Sequence, residues 1–321
     1  MKRQRLYKHY LKVSMKPYAL GISFVIFGVA SLFVNKYILS ILKFTFPTIF
    51  QGWQCFVSLI VLICIIKRRN SASKLRRCVD IHYLPEAIFF VCSIYAGSKA
   101  LTKIPIPVFL GMQNLSLVSV TLLKMFLLDE RPKNNTIFSE MVLLTACAFI
   151  WLNEQTAINP AAYFWIFIHV VSLGFCCVFE HVHEGDILDH EVLLLANNLF
   201  AFLSLAPCTF FFGDLQAVKA YPNLYFSKFY IGVVLSGVFS AFSSALYLQF
   251  TNQDRDSSSA HLTGANSLSG YTALSRVLAI ILSQFVFERT LAITTIWCLI
   301  SCLVVPAIQS SEANFTSVSE S

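Results

Sequence analysis

A guanidinium, Arg276, lies near the middle of an otherwise apolar and small-residue stretch, residues 264–287, that is long enough to cross a bilayer. Roughly twelve residues, about 18 Å of helix, flank it on either side. That is too deep for snorkelling to an interface. A charge at mid-bilayer costs about 2.5–3.5 kcal/mol on insertion scales, so it has to face protein or a watery cavity. Ser269 and Thr272 precede Arg276 by seven and four residues and share its helical face, and Ser275 widens that face into a hydroxyl-bearing stripe. A cation among hydroxyls suits an anionic, hydrogen-bonding solute. A structural arginine held by carbonyls is the alternative.

Other polar groups sit inside apolar stretches. Asn35 and Lys36 lie near the far end of the first, where Lys36 either snorkels or serves a site. Gln51 and Gln54, three residues apart, share a face of the second. Lys99 lies near the end of the third, and Gln113 with Asn114 within the fourth, where single amides commonly bridge helices. Lys124 reads as an interfacial anchor. Asn197 and Asn198, adjacent in the seventh, point about 100° apart, so one can serve packing while the other faces a cavity.

These groups need elements to position them. The chain has 321 residues, 56% of them hydrophobic and only 13% charged, with a mean hydropathy of +0.67. Such a composition excludes a soluble domain of this size and predicts an all-α polytopic membrane protein. A window of about twenty residues finds ten spans, at 18–42, 46–66, 84–101, 106–128, 137–152, 163–179, 192–212, 229–250, 264–287 and 291–308. A ten-helix domain is therefore expected at 18–308, between a basic tail at 1–17 and a second tail at 309–321. A division at 153–160 gives halves of about 18–152 and 163–308, five spans each. An odd number reverses the orientation of the second half, so the expectation is two inverted five-helix repeats with a site between them at the midplane.

Charge placement gives an orientation. With the N-terminus in the cytosol, 15 Lys and Arg fall on the cytosolic side and 5 on the other, which predicts both termini cytosolic. The first apolar stretch, about twenty-five residues, is too long for a signal-peptide core. Most of the ten cysteines lie in apolar runs without CxxC pairs and read as small hydrophobes. The stretch EHVHEGDILDHE (180–191) has no metal-site spacing and reads as a solvated loop. No nucleophile-and-base constellation, phosphate-cradling glycine loop or nucleic-acid footprint stands out, so no enzyme, cofactor, metal or nucleic-acid partner is expected.

From these residues alone a nucleotide sugar, a sugar phosphate or another organic anion would fit. The sequence resembles the nucleotide-sugar transporters of the drug/metabolite transporter superfamily over nearly its whole length. VNKYIL (34–39) is similar to the Asn-Lys pair of their first helix, FPTIFQGWQ (46–54) to the opening of the second, and NEQTAINPAAYFW (153–165) to the connection between halves. LANN (195–198) resembles the FYNN motif of the GDP-mannose branch and TALSR (272–276) its GALNK motif, with Glu288 twelve positions beyond Arg276. The departures bear on the substrate. Leu195 and Ala196 replace an aromatic pair, and Ser275 replaces an amide able to read a base edge. Arg276 keeps the charge of the motif lysine and adds a bidentate fork.

The segments NKYILSILKFTFPTIFQGWQ (35–54) and IYAGSKALTKIPIPVF (94–109) are similar to a vertebrate branch of that family associated with UDP-N-acetylglucosamine delivery to the Golgi lumen. The resemblance implies a Golgi antiporter, with the endoplasmic reticulum as the alternative membrane. It would import UDP-N-acetylglucosamine, ahead of GDP-mannose, in exchange for a nucleoside monophosphate. Arg276 and Lys36 would meet the phosphates, and Ser275, Thr272, Asn197, Asn198, Asn35 and Gln54 would supply hydrogen bonds. A carrier of a smaller phosphorylated metabolite and a non-transporting scaffold are the alternatives. Partners are then the nucleotide sugar, the monophosphate and the lipid bilayer, and a homodimer is left open.

Overall fold

The computed structural model describes residues 17–68, 72–154, 159–183, 190–256, 268–287 and 293–305. Eight helices have the length and apolar character to cross a membrane: α1 (Pro17–Lys36), α2 (Pro47–Arg68), α3 (Leu84–Lys103), α4 (Ile106–Leu128), α5 (Asn134–Glu154), α6 (Pro160–Val182), α7 (His190–Phe211) and α8 (Ser227–Asp256). Two shorter apolar helices follow, α9 (Leu268–Val286) and α10 (Ile293–Val305). The chain is an all-α polytopic membrane protein. The ninth and tenth expected spans extend at 264–267, 291–292 and 306–308 outside the described residues.

Local sequence explains where these helices begin and break. Prolines 17, 47 and 160 open α1, α2 and α6, where the missing N–H costs nothing and the fixed φ is already helical. Asn159 caps α6 by accepting from the amide of Ala161 at 2.9 Å. Helix α1 loosens into a π-helical turn at Tyr37–Ile41 and ends in a connection where Lys43 takes a positive φ of 55°. Helix α4 is two pieces, Ile106–Gln113 and Ser116–Leu128, meeting at Asn114. An asparagine is suited to such a break because its side chain competes for backbone partners. The stretch expected to be one solvated loop at 180–191 is helical at both ends, in α6 as far as Val182 and in α7 from His190.

Packing brings α3 against α6, α1 against α8, α2 against α7 and α8, α3 against α7, α1 against α9, and the second piece of α4 against α6. Phe126, Phe138, Phe211, Phe285 and Trp297 point outward and are well exposed, which suits a lipid-facing surface. At the end holding the α1–α2 connection, one continuous apolar core includes Ile38, Leu39, Phe44, Phe50, Tyr221 and Phe229. The opposite end has two separate clusters, one around Leu62, Tyr83, Val192 and Leu248 and one around Leu20, Phe24, Phe250 and Tyr271. Among the described residues, the apolar packing forms one cluster at the first end and two at the other.

Candidate functional site

Arg276 is the ninth residue of the nineteen in α9, midway along the helix, and its side chain is half-buried. Its guanidinium donates to Oδ1 of Asn114 at the break in α4. The Nδ2 of Asn114 donates in turn to the carbonyl of Cys302 in α10 at 2.8 Å. The amide thus connects three helices and holds the cation with a neutral acceptor. Among the described residues no carboxylate is ion-paired with Arg276.

Ser275 points to a different neighbour. A Cβ built on Gly28 of α1 would stand 3.3 Å from Ser275 Oγ and 3.9 Å from Ser243 Oγ of α8. The hydroxyls of Ser275 and Ser243 therefore flank the bare backbone of Gly28. Thr272 lies one turn before Arg276 on α9 and is half-buried. The side chain of Ser269 lies outside the described residues.

Asn35 and Gln54 are brought together. Gln54 Nε2 donates to Asn35 Oδ1 at 2.7 Å and also to Ser236 Oγ, and Ser236 donates to Asn35 Oδ1 at 2.9 Å. This triad joins α1, α2 and α8. Gln51, one turn earlier, donates to Ser98 of α3.

Lys36 neither snorkels nor reaches Arg276. Its Nζ donates to the carbonyls of Leu101 at 2.7 Å and Ile104 at 2.8 Å, at the C-terminal end of α3. Those carbonyls carry the negative end of the helix dipole, so a buried ammonium there is favourable. Lys36 also lines a cavity of about 200 Å³ together with Lys103, Ser40 and Gln284.

Asn197 and Asn198 diverge as adjacent helical residues should. Asn197 Nδ2 donates to Glu86 Oε1 of α3 at 2.8 Å, and Asn198 Nδ2 returns to the carbonyl of Leu194 in its own helix at 2.7 Å. Both are buried. The structure thus separates the candidates: Arg276 meets Asn114, Ser275 lies at Gly28, Asn35 pairs with Gln54, Asn197 with Glu86, Lys36 with the end of α3, and Asn198 with its own helix.

Glu86 and Ser236 are absent from the sequence-based set. Glu86 carried only a weak signal, since it is the third residue of the expected third span and an acid in a first helical turn is ordinary. Acids weigh little in topology, and that is no reason to pass over them in burial. Ser236 has no such signal, because a single serine in an apolar helix is commonplace.

No family profile matches the chain. Individual relatives do. The UDP-N-acetylglucosamine transporter TMEM241 homolog of Xenopus laevis is 35% identical over 221 residues, covering 68% of this chain and 74% of the relative. The UDP-N-acetylglucosamine transporter TMEM241 of Mus musculus is 29% identical over 281 residues, covering 87% and 91%. The Golgi GDP-fucose transporter of Drosophila melanogaster is 24% identical over 254 residues, covering 70% and 72%. These relatives are named as transporters, a non-enzymatic function, and the likeness to TMEM241 spans most of a chain built almost wholly of apolar helices. The chain belongs to the nucleotide-sugar transporter family, alongside TMEM241.

Proposed function

We propose that this chain carries UDP-N-acetylglucosamine across the Golgi membrane into the lumen and returns a nucleoside monophosphate, with both termini in the cytosol. The observation that carries the reading is Arg276: a mid-helix guanidinium held by the neutral Asn114, in a chain whose TMEM241 relatives are named for that sugar nucleotide. A diphosphate supplies the charge this cation lacks, and the guanidinium fork matches phosphate oxygens. Ser275 and Thr272 stand beside it. Asn197, Asn198, Asn35 and Gln54 are bonded to protein in this arrangement and would exchange those partners for base, ribose or sugar as the cavity opens. Lys36, at the C-terminal end of α3, would meet phosphate at the cavity it shares with Lys103.

The transport cycle we propose is a rocking of two inverted five-helix halves. Exchanging each of α1–α5 with the helix five further on turns the pair α3–α6 into α8–α1, α2–α8 into α7–α3 and α4–α6 into α9–α1, and leaves α2–α7 unchanged; every one of these pairs packs together. A second correspondence supports the same symmetry. The first helix of each half has a glycine approached by a serine from the fourth, Gly28 by Ser275 and Gly174 by Ser119.

Proteoliposomes preloaded with UMP or GMP, offered labelled UDP-N-acetylglucosamine and GDP-mannose in parallel, test the substrate. Uptake of the UDP-sugar driven by UMP is the expected result. GMP-driven uptake of GDP-mannose would transfer the assignment to that branch. Absence of both would favour a smaller metabolite or a non-transporting role.

A further inference from the structure

The contact between Glu86 and Asn197 is short of one hydrogen-bond donor. Both residues are buried, with exposures of 2% and 4%. Asn197 Nδ2 donates to Glu86 Oε1 at 2.8 Å, which leaves Glu86 Oε2 and Asn197 Oδ1. Each is buried without a hydrogen-bond partner. Both are acceptors, so neither can satisfy the other while Glu86 is a carboxylate. Turning the amide over does not help, because it sets Oδ1 against a carboxylate oxygen and removes the existing bond.

We propose that the Glu86–Asn197 pair is a proton-binding site, with the proton on Glu86 Oε2 donated to Asn197 Oδ1. One proton then supplies the donor that both orphaned atoms lack and closes the two-bond ring a carboxylic acid makes with a primary amide. Glu86 stands in the first turn of α3, where the helix dipole favours an anion, while its burial opposes a bare charge. Glu180 on α6 is the carboxylate whose charge reaches Glu86. Cys176 and Cys177 of α6 and Cys92 of α3 contribute only thiols, the first donating to the Glu86 backbone carbonyl at 3.9 Å. Lys74 is ion-paired with Glu191 at the start of α7. Among the described residues no cation of α2, α6 or α7 pairs with Glu86 itself.

The site has a consequence for motion. An ionised Glu86 would leave two buried acceptors of this contact without a donor, so loss of the proton to water belongs with separation of α3 from α7. Proton occupancy and closure of this helix pair are then linked, whatever solute the chain carries.

The full chain in lipid nanodiscs, without substrate, is the sample for infrared spectroscopy at neutral pH. Subtracting the spectrum of Glu86→Gln should reveal the carbonyl band of one protonated carboxylic acid in the wild type. Glutamine keeps an amide in the acid's place, so folding is expected to survive. Asn197→Ala, which leaves the acid in place and removes its acceptor, should retain that band at a shifted frequency. A difference spectrum that instead shows loss of ionised carboxylate bands would overturn the proposal. So would an acid band that Asn197→Ala leaves unmoved. Because no nucleotide enters this experiment, its outcome is separable from that of the transport assay.

Discussion

Asn114 accepts a hydrogen bond from the guanidinium of Arg276 through Oδ1 and donates through Nδ2 to the carbonyl of Cys302 at 2.8 Å. A single amide thereby orients the mid-helix cation and ties α4 to α10. Among the described residues the cation is held by a dipole and not by a countercharge. That distinction governs what substitutions should do.

Replacing Arg276 with Gln is expected to abolish exchange while leaving insertion intact. A charge-assisted hydrogen bond to phosphate contributes about 1.5–3 kcal/mol, so transport should fall by at least about tenfold. Arg276→Lys keeps the charge and loses the fork, and should retain part of the activity. Counterflow in proteoliposomes, with membrane yield as control, measures both; near-normal uptake by the glutamine variant would remove Arg276 from the site.

Asn114→Asp should be more damaging to transport than to stability. The carboxylate would pair with Arg276 and neutralise it before any anion arrived, while the carbonyl of Cys302 would lose its donor, at a cost of about 1–3 kcal/mol. Substrate-induced thermal stabilisation should disappear in this variant. Retained stabilisation would mean that the phosphate is bound elsewhere.

How much of this arrangement could be read in the sequence differs by residue. Arg276 stood out because a lone guanidinium in an apolar helix needs a partner, here Asn114, and eight of the ten expected spans were legible as long apolar helices because hydropathy integrates over about twenty positions. Contact partners were not. Gln54 and Asn35 are nineteen residues apart but Ser236, which binds both, is 182 from Gln54. Helical periodicity specifies a face, and only the packing of α1, α2 and α8 decides what that face meets. Lys36 shows the same limit: its depth left snorkelling or a site role, and the structure adds a third role at the carbonyl end of α3. Glu86 was visible as an acid in the first turn of a span, yet its pairing with Asn197 follows only from α3 packing on α7.

At the end holding the α1–α2 connection, three described bonds tie residues 42–53 to residues 214–233. Tyr221 donates to the carbonyl of Leu42 at 2.6 Å, Thr48 to Asp214 at 2.5 Å, and the Trp53 indole to the carbonyl of Val233 at 2.9 Å. Burial raises the Tyr221 phenol above its ordinary value, with the bond from Asn223 pulling the other way, so it remains a donor through the neutral range. Tyr221→Phe removes one net contribution of about 0.5–1.5 kcal/mol from the closed state. Alkylation of a cysteine placed at Ser236 should quicken accordingly. An unchanged rate would show that this end does not open.

Orientation has a separate test. The sequon NNT begins α5 at Asn134, and NFT at Asn314 lies outside the described residues. With cytosolic termini neither is exposed to the lumen. Digestion with a glycosidase should leave the electrophoretic mobility of the expressed chain unchanged; a shift abolished by Asn134→Gln or Asn314→Gln would invert the topology.

The paired glycines give the last prediction. A Cβ on Gly174 would stand 2.3 Å from Ser119 Oγ and 2.8 Å from Ser119 Cβ, so α6 and α4 could not keep their present approach. On Gly28 the added carbon meets Ser275 Oγ at 3.3 Å, and a small rotation of the hydroxyl accommodates it. Gly174→Ala should therefore destabilise by about 1–3 kcal/mol, as overpacking typically does, and Gly28→Ala by clearly less. Trimming the neighbour with Ser119→Ala should recover only part of the loss, because the Cβ contact persists. If melting in detergent shows the two alanine variants equally stable, the close approach of α4 to α6 is wrong, and with it one of the two supports for an inverted repeat.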